Sequence, residues 1–86
     1  MMSTREAVYN VIDGERTHQD KLNSVPKSVG EELTLLRVYL RKAEEAYATT
    51  FGDLHEGPTI DVVREIAGIC VRCMERHGAI IRKEIK

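Results

Sequence analysis

Hydrophobic positions recur at helical intervals in three stretches of this chain, and the longest uninterrupted one, Pro58 to His77, organises the rest. At about 100° per residue, Val63, Ile66, Ala67, Cys70, Met74 and His77 share one face of that stretch. Val62, Ile69 and Cys73 widen the apolar sector to about half the circumference, broader than the stripe of a helix resting on a single core. Such a helix needs neighbours on two sides. Two further helices cover one side, and a second copy of the chain is the simplest cover for the other.

The spacing Ser3 to Glu6 fits a capping box and predicts a first helix over about 4–22. Val8, Val11 and Ile12 set its apolar face, which continues through Glu15 and Gln19 to Leu22, so two polar residues stand where core residues belong. Gly14 beside them implies either the close approach of another backbone or a break at Asp13-Gly14. Pro26 biases Val25 away from helical geometry and makes NSVPK, Asn23 to Lys27, a loop. Ser28 and Glu31 repeat the capping-box spacing and open a second helix over about 29–48. Its inward positions read as Leu33, Leu36, Leu40, Ala43 and Tyr47, flanked by Leu35, Tyr39 and Ala46, with Glu32 aimed inward at the edge of the stripe.

A connecting loop follows from Thr49 to Gly57, which Phe51 and Leu54 could pin to the core. Pro58 suits the first turn of the third helix, about 58–77, and Asp61 complements its N-terminal dipole. Gly78 is a standard C-terminal stop and His77 a partner for the dipole. The tail AIIRKEIK, with Ile80, Ile81 and Ile85, is too apolar for a free end and reads as a docking segment or an intersubunit arm. The expected fold is an all-α three-helix bundle in a single domain, 1–86, completed by homo-oligomerisation.

At 86 residues a lone core supplies only a few kcal/mol, which adds to the case for oligomerisation. A chain that is 42% hydrophobic and 31% charged with two prolines is too apolar for disorder. Its net charge of −1 argues against DNA or RNA as a general partner. The N-terminus lacks an apolar run of signal length and no segment approaches a membrane span, so a soluble, cytoplasmic protein is expected. Cys70 and Cys73 have C-x-x-C spacing, but a zinc site needs two more ligands, and the pair reads as two small buried hydrophobes.

Two constellations could carry chemistry. Glu15 and Glu32, with Asp61 and Glu65 approaching from the third helix, are a candidate Mg²⁺ site of the kind helical bundles build; otherwise Glu15 and Gln19 satisfy each other or a nearby backbone group. Arg16, Lys27, Arg37 and Arg41, with Tyr9 and Tyr39 for stacking, are a candidate site for an anionic, base-containing small molecule; otherwise they form a solvated surface. His18 and His55 have no nucleophile at triad spacing, and both glycine-rich phosphate-binding fingerprints are absent.

The motifs GERTHQD at Gly14 to Asp20, SVGEE at Ser28 to Glu32 and RCMERHGA at Arg72 to Ala79 resemble those of small helical proteins encoded by bacteriophages, some of them similar to the MazG-type all-α nucleoside triphosphate pyrophosphatases. In that family E-E-x-x-E faces E-x-x-D across Mg²⁺ and the triphosphate. Here Glu31 and Glu32 match the first two acids, Leu35 replaces the third, and Asp61 and Glu65 stand four apart. The resemblance implies either a bundle without its metal that binds and sequesters a nucleotide-like molecule, a cyclic nucleotide signal of bacterial immunity among the candidates, or an Mg²⁺-dependent pyrophosphatase. A third reading makes the wide third helix and Ile-rich tail a protein-interaction module. The first reading needs no cofactor.

Overall fold

The structure, a computed structural model, describes residues 3–22, 25–49 and 56–83. It consists of three helices: α1, Arg5–Leu22; α2, Val29–Thr49; and α3, Gly57–His77. Phe51, Leu54, His55 and Ile85 lie outside the described residues. Among those residues no helix is long and apolar enough to cross a membrane.

Local chemistry sets the helix ends. At α2, Glu31 N–H donates to Ser28 Oγ at 3.1 Å while Ser28 N–H donates to Glu31 Oε1 at 2.9 Å, the reciprocal capping box its sequence predicts. At α1 the cap falls one residue later than expected: Ala7 N–H donates to Thr4 Oγ1 at 3.1 Å, so Thr4 rather than Ser3 is the N-cap. Pro58 occupies the first turn of α3, where its missing N–H costs nothing. Gly78 closes α3 with φ +111°, a conformation that side chains disfavour, and its N–H donates to the Met74 carbonyl at 2.8 Å.

Helix α3 is the axis of the fold. Both α1 and α2 pack against it and not against each other. The segment before α2 is tied to the end of α3: His77 Nε2 donates to the Lys27 carbonyl at 2.8 Å and Arg76 Nη1 to the Val25 carbonyl at 3.2 Å. His77 therefore holds a loop, a role beyond the dipole contact expected of it.

The interior is more polar than the pattern suggests. Among the described residues only Ala43, Val62 and Ile69 are buried hydrophobics, against buried Glu15, Arg16, Gln19, Glu32 and Arg72. On α2 the expected inward stripe holds in part: Glu32 and Ala43 are buried and Leu36, Leu35, Tyr39 and Ala46 half-buried, but Leu33, Leu40 and Tyr47 are corrected, being 58%, 55% and 59% exposed. The side facing α3 is rotated from the Leu-rich one, so the strongest apolar stripe of α2 faces outward. On α1 the correction is similar, for Val8 and Val11 are exposed and Ile12 only half-buried, while the polar half of the stripe meets α3.

That meeting depends on a glycine. A methyl at Gly68 would lie 2.6 Å from Gln19 Nε2 and 2.8 Å from Glu15 Cγ, so only glycine lets α1 come this close. Gly14, expected to serve that purpose or to break the helix, does neither: α1 runs through it, and nothing lies within 4 Å of an added methyl. Among the described residues of the tail, 79–83, none is buried, with Ile80 97% and Ile81 90% exposed.

Candidate functional site

Because α1 and α2 share α3 without touching, a cleft of about 210 Å³ opens between them over α3. Leu22 from α1, Leu35 and Tyr39 from α2 and Ile69 from α3 supply apolar walls; Glu15, His18, Gln19, Lys27, Glu65 and Arg72 supply the polar groups. Tyr39 is half-buried, and Lys42 Nζ lies 5.0 Å from the centre of its ring, within range of a cation–π contact.

The deepest polar element is the Glu32–Arg72 pair. Arg72 Nε and Nη2 donate to Glu32 Oε2 and Oε1 at 3.0 and 2.6 Å, with the Glu32 side chain wholly buried. The hydrogen bonds from Arg72, more than any other influence, hold the Glu32 carboxyl below its ordinary 4.5, against the desolvation that pushes the other way. A second network clamps α1. Arg64 Nε donates to Glu15 Oε1 at 2.9 Å and Arg64 Nη1 to Asp61 Oδ1 at 2.6 Å, and the bond to Glu15 chiefly keeps the Arg64 guanidinium charged. Arg16 forks onto Glu75 at 2.9 and 2.8 Å and reaches Asp20 at 3.0 Å, raising the Arg16 value and lowering that of Glu75.

Gln19 bridges cleft and clamp. Its Nε2 donates to Glu15 Oε2 at 3.0 Å and to the Glu65 carbonyl at 3.1 Å, which fixes the amide orientation. Its Oε1 is then buried with no donor. A buried amide oxygen without a partner costs on the order of 1–3 kcal/mol.

These contacts sort the candidates drawn from the sequence. The proposed Mg²⁺ ligands are not brought together: Glu15 and Asp61 are paired with Arg64, Glu32 is paired with Arg72, and Glu65 lines the cleft. Among the described residues no three His, Cys, Asp or Glu side chains form a group able to hold a metal ion. The alternative offered for Glu15 and Gln19, mutual satisfaction, is what the structure contains. Of the cationic and aromatic set, Lys27 and Tyr39 meet in the cleft; Tyr9 and Arg16 share a separate hollow with Val71 and Glu75; Arg37 and Arg41 are exposed on α2.

Sequence reasoning missed Arg72 and Arg64 as the partners that neutralise the inward acids. The signal was available, since a buried carboxylate requires a cation and both arginines fall on α3 opposite those acids. Cys70 and Cys73 are free and half-buried rather than fully buried; burial, then the neighbouring Cys73, pushes the Cys70 thiol up. No family model, curated protein or solved structure matches this chain.

Proposed function

We propose that this chain is a non-catalytic binding protein whose α1–α2 cleft captures a small anionic, base-containing molecule of about mononucleotide size. The observation that carries the reading is that Gln19, whose Oε1 is buried without a donor among the described residues, lines a cleft that also holds a tyrosine and a lysine. A nucleobase presents an N–H for that oxygen and a planar face for Tyr39. Lys27, with Lys42 beside the Tyr39 ring, offers positive charge to a phosphate. The cleft volume, below the roughly 300–1,000 Å³ of sites for drug-sized ligands, favours one base with its sugar and phosphate over a larger molecule.

The pyrophosphatase alternative is less well supported. It requires Glu15, Glu32, Asp61 and Glu65 around one cation, and three of those carboxylates already belong to arginines. Freeing Glu32 from Arg72 would leave a buried cation unpaired, which is costly.

Retention by mass spectrometry tests the proposal. The pure protein is incubated with linear and cyclic nucleotides and Mg²⁺, freed of unbound ligand and denatured, and the released molecules are identified. An intact nucleotide should emerge from the wild type and be lost in Tyr39→Ala and Lys27→Ala, whose helical circular dichroism stays unchanged. Failure to retain any nucleotide sinks the reading, and so does conversion of a triphosphate to monophosphate and pyrophosphate.

A further inference from the structure

Two exposed apolar stripes, one on α2 and one on α3, lie outside the cleft. On α2, Leu33, Leu40 and Tyr47 follow one another a heptad apart and are all more than half exposed. On α3, Ile60, Val63, Ala67, Cys70 and Met74 alternate spacings of three and four, the pattern of a helix seam. Ile60, Val63 and Met74 are exposed. The two stripes border one surface, because the hollow where α2 ends and α3 begins is lined by Ala43, Glu44, Tyr47 and Thr59 from both helices.

The dimensions of the chain point the same way. A folded monomer of this length exposes roughly 5,200 Å² and has a radius of gyration of about 12 Å. This chain exposes 7335 Å² and has a radius of gyration of 14.7 Å. Part of the surplus of about 2,000 Å² belongs to the exposed tail carrying Ile80 and Ile81, and the remainder is the scale of one partner's share of a dimer interface.

We infer that a second copy of this chain covers the α2–α3 face, related by a two-fold axis that crosses α2 near Leu40. The charges at the rim of the α2 stripe select this occupant. Arg37 and Glu44 are one heptad apart on its outer edge, exposed, and make no ion pair among the described residues. Leu40 lies between them, three residues from Arg37 and four from Glu44. A two-fold axis at that level runs the two α2 helices antiparallel and brings each Arg37 within one residue of the level of Glu44 in the other copy, a self-complementary pattern. It also sets Leu33 of each copy opposite Tyr47 of the other, beside the hollow that Ala43, Glu44 and Thr59 leave open. The inference does not rest on the ligand reading, since the cleft opens on the opposite side of α2.

Sedimentation equilibrium on the full chain tests it. The wild type should be dimeric. Leu40→Glu should weaken association by roughly a hundredfold or more, because a two-fold axis counts one change twice. Arg37→Glu and Glu44→Arg lie on the exposed rim and leave each chain helical, yet each should weaken self-association about tenfold. Mixing those two variants should restore a dimer, since every facing pair is then of opposite sign. A monomeric wild type would overturn the inference and hand the face to the C-terminal tail or a different protein. A trimer, or two charge variants that fail to rescue each other, would overturn the two-fold register.

Discussion

Two glycines and one ion pair decide most at the scale of single residues. Gly68→Ala forces a methyl into the Gln19 and Glu15 side chains and should destabilise the fold by about 1–3 kcal/mol. Gly14→Ala meets open space within a helix and should stabilise it by about 1 kcal/mol. Urea denaturation of both variants reads out the contrast, and equal effects would contradict the geometry. Breaking the buried pair on one side, with Arg72→Met or Glu32→Leu, should cost about 3–5 kcal/mol, whereas the double change should recover most of it. A double variant as unstable as the sum of the singles would show that the two side chains act independently. The same pair contributes to the acid limb of stability, together with Glu31 and Glu75, whose values are also lowered by hydrogen bonds. The folded value of Glu32 lies below its ordinary 4.5, so its contribution is present above that pH and lost as the pH falls through the folded value. Cys70, raised above its ordinary 9.0 by burial, contributes below that pH and loses its contribution as the pH rises through the folded value. Denaturation midpoints should therefore hold a plateau between these limits, and Glu32→Gln should flatten the acid limb.

Individual elements were unequally legible in the sequence. The boundaries of all three helices follow from caps, Pro58 and Gly78, which act within a few residues of themselves and need no knowledge of the fold. Ser28→Ala should accordingly cost about 1 kcal/mol by unmaking one half of its capping box, a loss that urea denaturation detects. Which side of α2 turns inward was legible only in part, through Glu32 and Ala43. The Leu33–Leu40–Tyr47 stripe carries the strongest apolar period, and a single chain gives no sign that such a stripe faces outward. The side that meets α3 is marked instead by Glu32 and Ala43, one a charge and the other small. The inward turn of Glu15 and Gln19 could be read from their spacing, but their partners on α3 could not be ranked without the register of the two helices. The cleft combines both cases: Tyr39 and Lys27 were candidates from the sequence, and Gln19 gained its importance only when its oxygen proved donorless.

The described helices form an α2–α3 pair with α1 held against α3 on charged and amide groups. Hydrogen exchange should show α1 amides opening at lower free energy than those of α2 and α3, with the gap widening as salt screens the exposed parts of its clamp. Uniform protection across the three helices would contradict this. The clamp also gives α1 an address. Its inner face carries Glu15, Arg16 and Gln19, which find arginine, carboxylate and carbonyl partners on one side of α3 and would lose them against the leucines of the open α2–α3 face. A helix with an oily inner face would slide between the two sites, whereas this one is turned away from the wrong site by the cost of stranding its charges. The polar seam therefore keeps a chain from folding onto its own sticky surface.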